Sequence, residues 1–150
     1  MKPVNVGSVN VGSVNVGSVS VGDSIPEWSM ESVDPGRMRT MAAILRDPYP
    51  VHWDRDSNAA LGLEGRVVNQ GPLNLSYVVN MLLAWAGPSC VRRLTVQFGR
   101  PVLDGDRVIA GGRVMAIEMA DGETRAHCDV WLARDDEHVV GGSAVVALNP

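Results

Sequence analysis

Cysteine is scarce in this chain: Cys90 and Cys128 are the two present in 150 residues. They form neither a metal-type spacing nor a disulfide framework, so both read as reduced thiols. His127 beside Cys128 on a strand, and His138 near a turn, do not make a metal site either, and no metal is expected. A charge excess is lacking too. The formal net charge of −4 gives no general attraction to nucleic acid or to an anionic membrane, so a phosphate-bearing ligand would need a local basic patch. No continuous apolar h-region and no credible cleavage site follow Lys2. The one long uncharged segment is shorter than the ~20 residues a membrane span needs, and Asn74, Ser76 and Asn80 interrupt it. What remains is a cytoplasmic globular protein. Its 45% hydrophobic and 20% charged residues are ordinary for that class, and the length suits one domain with a single core.

The start of the chain is repetitive. Val4-Asn5-Val6-Gly7-Ser8 recurs as Val9–Ser13 and Val14–Ser18, then decays to Val19-Ser20-Val21-Gly22-Asp23. Gly and Ser every few residues weaken the Val-x-Val alternation as a strand, and the period is too short for the usual solenoid repeats. Residues 1–18 therefore read as a duplicated coding segment forming a disordered tail, with a single domain over 19–150. The alternative is an exposed strand that adds to a sheet edge or to a partner.

Ile25–Val33, with Trp28 and alternating polarity, predicts a short first strand. Asp34-Pro35 supplies N-cap and N1 of a helix whose Met38, Met41, Ala42 and Leu45 fall on one face. Asp47-Pro48 ends it, because the residue before a proline avoids the α region. A short helical turn is expected at Ser57–Leu61. Gly71-Pro72 opens a central helix and Gly87-Pro88 closes it. Leu73, Leu75, Val78, Val79, Met81, Leu82, Leu83 and Trp85 lie around its whole circumference, which predicts a helix buried on every side. Four β-rich runs follow, Arg92–Phe98, Arg107–Ile117, Thr124–Ala133 and Val139–Leu148. Turn signals at Asp104-Gly105-Asp106, Asp121-Gly122 and Asp135-Asp136 separate them. Consecutive strands with short turns predict an antiparallel sheet, and with one buried helix the layout is α+β, the sheet wrapping the helix.

The chemistry-bearing stretch is Asp47-Pro48-Tyr49-Pro50-Val51-His52. Two prolines within six residues forbid an α-helix, so this is a stiff extended or turning loop. It holds a carboxylate and an imidazole close together, the pair that water activation and proton delivery need. On spacing alone, a turn-capping Asp and a packed or solvated His explain the same residues.

Asp47-x-x-Pro50-Val51-His52 resembles the D-x-N-P-(L/I/V)-H signature of the MaoC-like (R)-specific enoyl-CoA hydratases and dehydratases, which have the hot-dog fold. Val21-Gly22-Asp23-x-x-Pro26 resembles the opening of that family. Val67-Val68-Asn69-Gln70-Gly71 is similar to its glycine-bearing segment before the central helix. Trp85-Ala86-Gly87-Pro88 is similar to actinobacterial members linked to steroid and polyketide-type acyl chains, and Pro101-Val102-Leu103-x-Gly105-Asp106 to a strand–turn–strand of the family. The resemblance covers roughly residues 19–148.

It implies a hydratase or dehydratase interconverting trans-2-enoyl and (R)-3-hydroxyacyl thioesters. No cofactor is implied beyond the CoA or phosphopantetheine that is part of the substrate. Asp47 and His52 become the catalytic pair, holding the water that adds to C3 and handling the proton for C2. The backbone N–H of Gly71 becomes the oxyanion-hole donor, at a helix N-terminus that already offers unpaired N–H groups. Tyr49, Asn69 and Gln70 are the substrate-binding candidates. Asn74 and Ser76 could line the pocket too, capping and helix-surface hydrogen bonds being the simpler roles for these polar residues. Trp53, Tyr77 and Trp85 are core or acyl-chain contacts, and Arg92, Arg93, Arg100 and Arg113 are solvated or meet CoA phosphates or an acidic carrier protein.

Two departures stand out. The family's Asn is Tyr49 here, and Asn58 precedes Ala59-Ala60 where the family places a small residue a little after the His. Tyr49 keeps two alternatives open: an isomerase or cyclase of a biosynthetic pathway, and a subunit of a heteromeric dehydratase with little activity alone. A hot-dog thioesterase is disfavoured, because those commonly carry a carboxylate on the central helix and Leu73–Ala86 has none. The resemblance also implies a homodimer or a heteromer with another MaoC-like subunit.

Overall fold

A computed structural model describes residues 18–148. The expected disordered tail, and its edge-strand alternative, therefore lie almost wholly outside the described residues. The elements are β1 (Ser24–Met30), α1 (Pro35–Leu45), a single 3-10 turn (Pro50–His52), α2 (Arg55–Ala60), α3 (Gly71–Ala86), β2 (Val91–Phe98), β3 (Val108–Ala120), β4 (Glu123–Arg134) and β5 (Glu137–Ala147).

The strands form one antiparallel sheet in the order β1-β3-β4-β5-β2, and α3 packs against all five. This is the α+β hot-dog arrangement, a sheet curled round one long helix. The turns at Asp121-Gly122 and Asp135-Asp136 make tight hairpins, all four residues adopting positive φ. Asn- and Asp-rich or glycine turns reach that region at low cost.

The expected pairing of consecutive strands holds for β3–β4 and β4–β5 but is corrected for β2. β2 does not form a hairpin with β3 but pairs with β5 at the far edge. The intervening chain crosses back over the molecule, burying Val102 and making a lone bridge from Leu103 to Val68. β1 also stops short of Val33, because Val33 turns away to exchange backbone hydrogen bonds with Gly105 and Asp106.

The helix caps are as the sequence predicts. Asp34 accepts from the Gly36 N–H at 2.7 Å with Pro35 in the first turn, and α1 ends at Arg46 in the left-handed region (φ 52°). The apolar face of α1 is less buried than its spacing implies: Met38 is buried, whereas Leu45 is 45% exposed. The helix lies at the rim, against the 3-10 turn rather than the sheet.

α3 is corrected as well. Leu73, Tyr77, Val78, Met81, Leu82 and Trp85 are buried against the sheet, each such side chain worth about 1.5–3 kcal/mol. Leu75, Val79 and Leu83 on the opposite side are only half-buried, and Asn80 is exposed. One sheet covers one side of a helix, and no second layer covers the other among the described residues. No helix among them is long and apolar enough to cross a membrane.

One close approach fixes the seam between β2 and β5. A Cβ added at Gly142 would lie 2.0 Å from the carbonyl oxygen of Thr95, whereas one at neighbouring Gly141 would meet nothing within 4 Å.

Candidate functional site

The loop after α1 is held mainly by its backbone. The Asp47 N–H donates to the Ala42 carbonyl at 2.9 Å, and Asp47 Oδ1 accepts from the Tyr49 N–H at 3.0 Å, a local turn that only a short acceptor side chain closes. Pro50 then starts the 3-10 turn, where its missing N–H leaves no bond unmade, and the Pro50 carbonyl accepts from Trp53 and Asp54. The stiff loop expected from two prolines is thus a turn closed at both ends.

That turn brings Asp47 and His52 together. His52 Nδ1 lies 2.7 Å from the Val68 carbonyl oxygen, which can only accept, so Nδ1 carries the proton. In the neutral tautomer that this contact selects, the Nε2 lone pair faces Asp47 Oδ2, 3.5 Å away. The two groups face each other as acceptors, within reach of one common donor. The His52 side chain is 13% exposed and that of Asp47 31%, so the pair is sheltered but open on the carboxylate side.

Asn58 secures the arrangement from behind. Fully buried, it donates from Nδ2 to the carbonyls of Val51 and Arg66, both at 2.8 Å, while the Val68 N–H donates to that same Val51 carbonyl. The sequence marked Asn58 only as a departure from a small residue. Its sole local signal is an amide in a short helix of otherwise small and charged residues.

A second clamp holds the chain on the other side of Val68. Asp104 accepts from the Val67 N–H at 2.7 Å and from Arg55 at 2.6 Å. Asp106 accepts from the Leu103 N–H, Arg66 and Arg134. Burial alone would raise the Asp106 pKa, but these hydrogen bonds outweigh it and hold the carboxyl below its ordinary 3.8. A carboxylate whose folded pKa is depressed contributes stability above its unfolded pKa and loses it as pH falls through the folded value. Acid titration of the fold should therefore show Asp106→Asn less stable than wild type at neutral pH, the gap closing below pH 3.8. A gap constant across that range would refute the linkage.

α3 begins directly beyond the clamp, at Gly71. No side chain caps this end, so its first N–H groups are left to a ligand or to solvent. Gly71 borders a cleft of about 260 Å³ that is also lined by Asn69, Asn74, Phe98, Arg100 and Pro101. The Phe98 ring passes 3.4 Å from where a Cβ of residue 71 would stand. Asp47 and His52 are not on this lining; the Val68 carbonyl that orients His52 lies three residues before Gly71.

The remaining candidates separate. Asn69 lines the cleft and is 3% exposed. Gln70 is buried off the cleft and donates from Nε2 to the Met38 carbonyl at 2.8 Å, tying α3 to α1. Tyr49 is 60% exposed, its ring edge-on to His52 with centroids 6.2 Å apart. Tyr77 stacks on Trp28 in the core, Ser76 bonds within its own helix, and Arg92 and Arg100 are paired with Glu123 and Glu137.

The family model described as "MaoC like domain" matches residues 15–130. Among solved structures, the unliganded R-hydratase PhaJ1 of Pseudomonas aeruginosa is similar at 22% identity and a TM-score of 0.77, over 90% of this chain and 86% of that one. The (R)-hydratase of A. caviae involved in PHA biosynthesis is similar at 25% identity and a TM-score of 0.75, over 87% and 98%. The ChsH1-ChsH2 complex of Mycobacterium tuberculosis is similar at 26% identity and a TM-score of 0.71, over 85% and 97%. No curated protein matches the chain.

Proposed function

Because this chain belongs to the MaoC-like dehydratase family, we propose that it interconverts trans-2-enoyl and (R)-3-hydroxyacyl thioesters carried on CoA or on a carrier protein. The observation that carries the reading is the facing pair, His52 Nε2 3.5 Å from Asp47 Oδ2 with the imidazole oriented from behind by a carbonyl. Two acceptors so placed hold a water molecule by its two O–H groups. As the water oxygen bonds to C3, the pair takes one of its protons and a proton is returned to C2. The double bond is consumed and the pair ends as it began. The negative charge that develops meanwhile on the thioester oxygen meets the Gly71 N–H at the positive end of α3. Every step uses groups of the chain, the thioester and the added water.

The test is hydration of trans-2-butenoyl-CoA, followed by loss of enoyl absorbance and by the configuration of the product. The (R) product is expected. The (S) product, or no turnover with either CoA- or carrier-bound substrates in any oligomer, would sink the reading.

A second copy or a related subunit fits the cleft. Phe98 and Arg100 border it from the end of β2, an edge strand whose outer side is unpaired among the described residues. A partner adding there would flank the cleft, and a structural relative is itself a two-protein complex. Light scattering on the purified chain distinguishes a homodimer from a subunit awaiting its partner, and activity that appears only on mixing would favour the heteromer.

Tyr49, exposed beside His52, would wall the acyl side of the site. Tyr49→Ala is expected to raise kcat/KM for bulky enoyl thioesters relative to the butenoyl one. An unchanged ratio would remove Tyr49 from the pocket.

A further inference from the structure

Three buried side-chain acceptors have no hydrogen-bond partner among the described residues: Asn58 Oδ1, Asn69 Oδ1 and Gln70 Oε1. Buried polar atoms are nearly always paired, so each such atom calls for a partner. Asn58 is engaged in holding the catalytic loop, and Gln70 in joining α3 to α1, and neither lines the cleft. Asn69 does line it, two residues from Gly71.

The donors of Asn69 are already committed. Its backbone N–H donates to the Val102 carbonyl at 2.7 Å, and Nδ2 donates to Asn74 Oδ1 at 2.7 Å. The Tyr77 hydroxyl stands farther from Nδ2, at 3.5 Å. With the amide plane set by Asn74, Oδ1 is an oriented acceptor, buried and unpartnered, on a residue of the cleft lining. An acceptor held in place before binding loses little entropy when a donor arrives.

We propose that Asn69 is a specificity-determining residue whose side-chain carbonyl accepts a hydrogen bond from an amide N–H or a hydroxyl of the bound thioester. The inference rests on the thioester reading above and adds the chemistry that the cleft selects. A thioester carries such donors in two places, the amide groups of its pantetheine arm and any hydroxyl on its acyl chain.

Binding of two unreactive probes, butyryl-CoA and 4-hydroxybutyryl-CoA, measured by calorimetry on the full chain, separates them. Asn69→Val removes the acceptor and is expected to raise Kd by roughly tenfold. A rise with both probes assigns the donor to the pantetheine arm; a rise with the hydroxylated probe alone assigns it to the acyl chain. Asn69→Asp keeps an acceptor, Asn74 turning its amide to donate, and should bind close to wild type. Kd reports on the folded fraction only, and Asn69→Ser, which draws the acceptor back out of reach, substitutes for Asn69→Val if that variant does not fold. The proposal is overturned if Asn69→Val binds both probes as wild type does, if Asn69→Asp loses as much as Asn69→Val, or if the wild type binds neither. Wild-type binding that depends on Asn69 without any hydration of butenoyl-CoA would overturn the proposed reaction and leave this inference standing.

Discussion

His52→Gln and Asp47→Asn are each expected to lower kcat by about 10²–10⁴-fold, the usual range for losing a positioned general acid or base. Both substitutions are chosen to spare the loop. A glutamine amide can still donate towards the Val68 carbonyl, which His52 Nδ1 approaches at 2.7 Å, but offers no basic nitrogen to the water. An asparagine at 47 can still accept from the Tyr49 N–H, now 3.0 Å away, while its amide would donate to Nε2 and occupy the lone pair. Thermal unfolding should therefore stay near wild type while turnover collapses. Because the two groups act on one water, the double variant should be little slower than the slower single one. Either single variant retaining a tenth of wild-type turnover would remove that residue from the chemistry.

The largest loss of stability is expected from Gly142→Ala. The added methyl would stand 2.0 Å from the Thr95 carbonyl oxygen and 2.8 Å from the Val96 Cα, both main-chain atoms that no rotamer change can move. Relief requires β2 to shift away from β5, breaking a ladder that runs from Phe98 to Val91. Overpacking of this kind costs about 3 kcal/mol or more. In a chain of this length that is a melting temperature roughly 6–12 °C lower. Gly141→Ala is the control: its methyl meets nothing within 4 Å, so it should unfold within about 0.5 kcal/mol of wild type. Equal melting of the two variants would show that the β2–β5 spacing is not the constraint described.

Local signals survived folding well, and long-range pairing did not announce itself. Asp34-Pro35, Gly71-Pro72, Gly87 and the Asp-Gly and Asp-Asp turns each act through their own backbone geometry, which is why the caps and hairpins were legible. The partner of β2 is a different matter. Nothing in Val91–Phe98 says that it pairs with β5 rather than with the next strand in sequence, since both pairings bury the same alternate side chains. The apolar circumference of α3 likewise predicted burial all round, because composition cannot tell a side covered by the sheet from one left for a partner. Asp47 and His52 are paired through their likeness to the family signature; spacing alone also allows a turn-capping Asp and a packed His, and Asp47 does close a turn on the Tyr49 N–H. Asn58, Arg66, Asp104 and Asp106 gave no such notice: Asn58 binds main-chain carbonyls, which carry no sequence signal, and Arg66 and Asp104 meet across the fold only because the β2–β3 connection passes by.

The imidazole of His52 is oriented by the carbonyl of Val68 and not by a side chain. A main-chain oxygen is present whatever residue occupies position 68, so no single substitution there can delete the group that selects the tautomer. The neighbourhood of the reacting pair is thereby freed to vary: positions 49 and 68 can exchange bulk or polarity while the proton-handling nitrogen keeps its aim. A lineage, or a mutagenesis library, built on this frame can explore new acyl groups one residue at a time without first passing through inactive intermediates.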